Sequence, residues 1–193
     1  MDMSTEYVIR VATPEDAQIV HDIYGAYVEG EHVTFTEENP SVEAYREKII
    51  HTLEKYPFFI AQDENGKVLG YINGSPLRPH DAYKWNVEST IMLAEDAPRR
   101  AGIASKLYEK FNEALQKQGY QYVYAVIVDT NEASIALHNA LGFETVGHFH
   151  KAGYKNGKWK GIVWMNKAIG VAGKEPVDPV GFLMSSNSDN CNE

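Results

Sequence analysis

Three short segments carry residue types that could do chemistry. In Arg99-Arg100-Ala101-Gly102-Ile103-Ala104, small residues stand where a strand passes into a helix. Such a junction can turn several backbone N–H groups and the positive end of the helix dipole on an anion. Gly102 and Ala104 would let a diphosphate approach, although the same residues also suit an ordinary strand-to-helix turn. The segment lacks the Gly-x-Gly-x-x-Gly of a dinucleotide site and the Gly-Lys-Ser/Thr ending of a P-loop. Glu88 lies in mid-strand within Trp85-Asn86-Val87-Glu88-Ser89-Thr90-Ile91-Met92-Leu93. Alternation puts Val87, Ile91 and Leu93 on one face and Glu88, Thr90 and Met92 on the other. Beside Trp85 and Met92 the carboxylate is expected to be partly desolvated, which raises its pKa toward the range of a general base. The plainer reading is a solvated or ion-paired glutamate. Asn131, Ser134 and His138 fall at i, i+3 and i+7 of a helix, a polar stripe that could line a ligand channel. A lone helical histidine otherwise decorates a surface or sits satisfied in a core.

The elements that must hold these residues follow from periodicity and punctuation. Tyr7 to Val11 reads as a strand, and Thr13, Pro14 and Asp16 open a helix that continues through Ala17, Val20, Tyr24 and Tyr27. Ser41 starts a second helix, with Tyr45, Ile49 and Leu53 on one stripe, which stops before Pro57. Phe58 to Ala61 and Val68 to Ile72 flank the turn signal Asn65-Gly66, and an extended segment from Tyr83 to Leu93 follows. These predict three antiparallel strands. Ile103, Leu107, Phe111 and Leu115 recur at helical steps until Gly119. Val123 to Val128 is a buried strand, 131–141 a short helix ending at Gly142, and Asn156-Gly157 the turn of a final hairpin. The predicted fold class is α/β (α+β): a mixed central sheet of about seven strands flanked by about four helices.

Composition bounds the function. A chain of 193 residues suits one domain, taken as 1–170, with a loose tail at 171–193 rich in Gly, Pro, Ser, Asn and Asp. A formal net charge of −9 gives no electrostatic footprint for nucleic acid, whereas a local group such as Arg78, His80 and Lys84 could still hold a small anion. The single cysteine, Cys191, permits no internal disulfide, and no apolar run approaches a membrane span or signal peptide. A cytoplasmic protein without membrane contact is expected.

With these segments in this order, the sequence resembles the GNAT superfamily of N-acetyltransferases and, within it, the phosphinothricin acetyltransferases. The resemblance spans about Val8 to Lys167. It rests on Arg99-x-x-Gly102-x-Ala104, on Asn131-x-x-Ser134 with Leu141-Gly142-Phe143, and on Tyr83-x-Trp85-x-Val87-Glu88-Ser89-Thr90. Ser134-Ile135-Ala136-Leu137-His138 and Ala152-Gly153-Tyr154-Lys155-Asn156-Gly157-x-Trp159 extend it.

The resemblance implies a GNAT fold that uses acetyl-CoA and no metal. Backbone groups of Arg99, Arg100, Ala101, Gly102, Ile103, Ala104 and Ser105 would hold the diphosphate, those of Ile91, Met92 and Leu93 the pantetheine, and Asn131 and Ser134 the cofactor arm. By the same carry-over Glu88 is the general base and His138 the second catalytic residue. Phe35, Arg78, Tyr83, Trp85, Thr90, Val126 and Ile162 would form the pocket of a small amino-acid-like amine such as phosphinothricin, methionine sulfoximine or methionine sulfone. A homodimer is also implied. Gly161 stands where the subfamily usually carries Asp, and with Met92 it leaves the acceptor open. The alternatives are a protein N-terminus, a polyamine, an aminoglycoside, or a non-catalytic acyl-CoA-binding sensor.

Overall fold

The structure, a computed structural model, describes residues 6–30, 34–171, 175–183 and 185, so Cys191 lies outside the described residues. The strands are β1 (Tyr7–Val11), β2 (Phe58–Asp63), β3 (Val68–Pro76), β4 (Asn86–Leu93), β5 (Tyr122–Val128), β6 (Glu144–Lys155) and β7 (Lys158–Ala168). The helices are α1 (Ala17–Glu29), α2 (Val42–Lys55), α3 (Ile103–Gln118) and α4 (Glu132–Ala140), with short 3-10 turns at Pro14–Asp16 and Asp81–Tyr83. One seven-stranded sheet runs in the order β1-β2-β3-β4-β5-β7-β6, antiparallel throughout except for β4 beside β5. This is the predicted mixed sheet with four helices.

Local chemistry accounts for the element ends. Thr13 and Asp16 form a reciprocal capping box, and Ser41 caps α2 by accepting from the Ala44 N–H at 3.2 Å. Gly119 closes α3 in the left-handed region at φ 96°, where side chains are strained. Asn156 and Gly157, at φ 52° and 75°, make the two-residue hairpin turn whose twist matches the strands it joins. One expectation needs correction: the segment before β4 is not extended from Tyr83, because Asp81–Tyr83 coils into a 3-10 turn and the strand begins at Asn86.

The two sheet faces carry different helices. Val87, Ser89, Val123 and Ala125 lie buried on the face covered by α3 and α4. On that face Leu107, Tyr108, Phe111 and Leu115 of α3 are almost fully excluded from water; each large apolar side chain so buried contributes about 1.5–3 kcal/mol. The opposite face, with Tyr71 of β3, receives α1 and α2 through Tyr24, Tyr27 and Tyr45. The tail does not hang free over 175–183. Trp85 Nε1 donates to Val177 O at 2.8 Å, Gln118 Nε2 to Val180 O at 2.8 Å, and Phe182 packs edge-on against Phe59. A tail poor in apolar residues is held by backbone carbonyls and one aromatic, which composition alone underrates.

Candidate active site

The site begins where two parallel strands part. β4 and β5 pair only at Asn86↔Tyr122, Val87↔Val123 and Glu88↔Tyr124, and then separate. Ser89 Oγ donates to Tyr124 O at 3.0 Å and pins the crotch of this fork. Beyond it β4 keeps its partner β3 through Gly70↔Leu93 and loses its partner on the other side. The Ala94 N–H bonds to Leu69 O across toward β3. Backbone groups alternate along a strand, so those of Ile91 and Leu93 face the open fork and those of Met92 face β3. Of the three residues expected to offer main-chain groups, Ile91 and Leu93 are placed to do so and Met92 is not. Tyr27 Oη donates to the Leu93 carbonyl at 2.7 Å, a contact that no local pattern in the chain announces.

Beyond the end of β4, α3 starts without a side-chain cap. Its first intrahelical bond is Lys106 N–H to Gly102 O, which leaves the N–H groups of Ile103, Ala104 and Ser105 for an outside acceptor. Arg100 (φ 61°) and Gly102 (φ 75°) wind the loop through the left-handed region, and a Cβ on Gly102 would meet only Tyr7 Oη, at 3.7 Å. Arg99 and Arg100 are exposed, Ile103 and Ala104 are buried, and Tyr7 Oη ties the loop by donating to Ala101 O at 3.3 Å. An open, uncapped helix start flanked by two guanidinium groups fits a diphosphate.

Glu88 points to the face opposite Ser89, as alternation requires, and is half-buried. Burial pushes its carboxyl above the ordinary carboxylate range, and the Arg78 guanidinium pulls it part of the way back. Arg78 donates to Leu77 O at 2.7 Å and lies 4.8 Å from the centre of the Trp164 ring. Register puts Glu88, Tyr124 and Asn166 on one row, with Val126 and Trp164 on the next and Val128 and Ile162 on the third. Thr90 shares this face. Phe35, in the loop between α1 and α2, lies against Gly153 of β6, where a Cβ would clash with its ring. Lys155 holds that loop down, donating to Val28 O at 2.9 Å, Thr34 O at 3.1 Å and Thr36 O at 2.8 Å.

Two expected pocket residues sit apart. The indole N–H of Trp85 is turned to the tail at Val177, and Tyr83 is exposed in the 3-10 turn beside His80. The polar stripe of α4 also needs correction. Asn131 is a helix cap whose Oδ1 accepts from the Ser134 N–H at 3.1 Å. His138 is only 2% exposed, inside a cage with Tyr108 and Phe143 on the α3 face. Glu88 and His138 therefore lie on opposite faces of the sheet. The ring's Nδ1 is 2.7 Å from the Ser134 carbonyl, which only accepts, so Nδ1 carries the proton and Nε2 receives the Tyr108 hydroxyl at 2.7 Å. Tyr108 in turn meets Ser89 Oγ at 2.9 Å, which links His138 to the pin of the fork. Helical spacing alone did not show that the histidine faces inward, because the apolar residues it meets come from α3 and Phe143.

Burial holds the His138 imidazole below its ordinary value, although its bond to Ser134 raises it in part. In the unfolded chain it titrates near pH 6.5, so just below that pH the unfolded state binds more protons and stability falls as pH drops. We expect the Tm to decline as pH falls from about 6.5, and the decline to flatten in His138→Gln. Thermal melts across this range test it; an equally steep decline in the variant would assign the acid sensitivity elsewhere.

The model of the acetyltransferase (GNAT) domain matches residues 9–164. The chain belongs to the GNAT acetyltransferase family. Among curated GNAT relatives, the phosphinothricin N-acetyltransferase of Streptomyces viridochromogenes is 34% identical over 173 residues, covering 89% of this chain and 93% of that one. The L-methionine sulfoximine/L-methionine sulfone acetyltransferase of Pseudomonas paraeruginosa is 34% identical over 110 residues, 57% of this chain and 63% of that one. Among solved GNAT structures, a phosphinothricin acetyltransferase from Sinorhizobium meliloti in complex with AcCoA superposes with TM-score 0.84 at 31% identity. The match covers 90% of this chain and 95% of that one. A ribosomal-protein-alanine N-acetyltransferase from Brucella melitensis reaches TM-score 0.79 at 30% identity over 83% and 99% of the two chains.

Proposed function

We propose that this protein transfers an acetyl group from acetyl-CoA to the primary amine of a small amino-acid-like acceptor of the phosphinothricin or methionine sulfoximine/sulfone type. The observation that carries this reading is Glu88, half-buried beside the β4–β5 fork with a raised carboxyl pKa. Acetyl-CoA supplies an activated acetyl thioester. The open N–H groups of α3 and the loop from Arg99 to Ser105 would hold its diphosphate, and the fork-facing backbone groups of Ile91 and Leu93 its pantetheine arm. The acceptor arrives as an ammonium ion and must lose a proton before its lone pair can attack, which is the task of Glu88, directly or through water. A main-chain N–H at the fork would stabilise negative charge on the carbonyl oxygen, an effect of about 3–4 kcal/mol in such sites. His138 acts here as a positioning residue through Tyr108 and Ser89, since its ring is sealed from the Glu88 face.

Arg78 favours the amino-acid class over polyamines and aminoglycosides, because a cationic acceptor would meet a guanidinium beside the base. The relative that acts on ribosomal-protein alanine keeps a protein N-terminus as the second reading. A homodimer would find its seat on the exposed pair Tyr154 and Trp159 of the β6–β7 hairpin. The deciding test is an acceptor screen with acetyl-CoA, reading thiol release against amino-acid analogues, peptides and polyamines. Release with the analogues supports the proposal; release with polyamines or peptides alone contradicts it.

A pH effect follows from the Arg78–Glu88 pair. Arg78 lowers the Glu88 pKa, so Arg78→Ala moves it further up, and the acidic limb of the kcat/KM profile shifts to higher pH. A limb that stays in place or moves down would separate Arg78 from the base.

A further inference from the structure

The final hairpin carries two buried lysines with opposite circumstances. Lys155 is 3% exposed and has three carbonyl partners, whereas Lys160 is 8% exposed and its Nζ has no hydrogen-bond partner. A buried cation without a partner is costly, and folded chains rarely keep one without a use. Lys160 pairs with Gly153, so it shares the face of Gly153, Ile162 and Trp164 and lies under the loop that presses Phe35 onto Gly153. Three more orphaned atoms share this face: Trp164 Nε1, Asn73 Oδ1 and Tyr71 Oη. Asn73 pairs with Thr90, two residues from Glu88 along β4.

The face is thus divided. Hydrogen-bond donors without partners, Lys160 Nζ and Trp164 Nε1, lie on β7, and the Arg78 guanidinium covers Trp164. Acceptors, the Glu88 carboxylate and Asn73 Oδ1, lie on β4 and β3 across the fork. Lys160 and Trp164 are four residues apart, about 13 Å of strand, so two cationic side chains approach the face from its two ends. Lys160 lies six residues along β7 from Asn166, which shares the row of Glu88, about 20 Å of strand. We infer that Lys160 is the anchor for the distal anionic group of the acceptor, whose ammonium lies toward Glu88 and Asn73 and whose side-chain phosphinate lies toward the far end of β7. This rests on the proposed acetyl transfer and specifies which end of the acceptor goes where.

The test is Lys160→Met, with phosphinothricin as the acceptor that carries a distal anion and methionine sulfone and the carboxamide of phosphinothricin as controls for the distal and the α-anion. Removing an uncompensated buried charge should raise the Tm of the free protein, the reverse of what loss of a structural lysine does. The KM for phosphinothricin and for its carboxamide, which keeps the phosphinate, should rise at least tenfold, with the KM for acetyl-CoA and for methionine sulfone within twofold. Lys160→Arg should restore part of the loss. A lower Tm in Lys160→Met, or an unchanged KM for phosphinothricin, would overturn the anion site. Failure of the wild-type protein to acetylate any of the three amines would overturn the reading on which it stands.

Discussion

Glu88→Gln should lower turnover at least tenfold, toward the loss of about 10²–10⁴ typical of a positioned base, while the affinity for acetyl-CoA stays the same. Glutamine keeps the volume and the half-buried position of the side chain but cannot take a proton. The groups assigned to the cofactor, at Ile91, Leu93 and the start of α3, are main-chain atoms that the substitution leaves alone. An amine that is already neutral escapes the need for a base, so the defect should shrink as pH rises toward the acceptor's own pKa. Steady-state rates with a direct measurement of acetyl-CoA binding check both halves. Unchanged turnover would remove Glu88 from the mechanism, and a large loss of acetyl-CoA affinity would make it a binding residue.

Gly102→Asp should raise the KM for acetyl-CoA by more than tenfold and leave that for the acceptor little changed. The substitution sets a carboxylate at an uncapped helix start where three N–H groups await an anion, so it repels the diphosphate at its seat. Gly102→Ala is the control. Its Cβ would find open space, with only Tyr7 Oη at 3.7 Å, so its cost is the left-handed φ of 75°, about 1–2 kcal/mol of stability. Comparable KM values in the two variants would mean that strain, not charge, governs the site.

What could be read from the residues was whatever is decided within a few positions of the chain. Ser41, Gly119 and Asn156-Gly157 mark their caps and turns by their own backbone chemistry, and strand alternation places Glu88 opposite Ser89 without any knowledge of neighbours. The fork was not legible, because the length over which β4 and β5 stay paired is set by contacts between residues some 35 positions apart, such as Glu88 and Tyr124. His138 misled for the same reason: its helix is amphipathic only in relation to α3, which supplies Tyr108. Nothing in their own segment marks Lys155 and Lys160 as buried, and Lys155 is enclosed by the carbonyls of the loop folded over Gly153. Gly161, noted for departing from the family's aspartate, leaves the space that the Asp129 carboxylate fills from the end of β5. A carboxylate stands at that place from the turn after β5.

Among the described residues around the fork there is no cysteine, and the Ser89 hydroxyl is engaged with Tyr124 and Tyr108, which favours the proposed direct transfer over a covalent acetyl-enzyme. The most direct test is to mix the protein with acetyl-CoA alone, follow thiol and intact protein mass, and then add phosphinothricin. Direct transfer predicts an unmodified protein and no thiol until the amine arrives, then one thiol for each N-acetylated product. A stoichiometric burst of thiol with an acetylated chain before amine is added would contradict it.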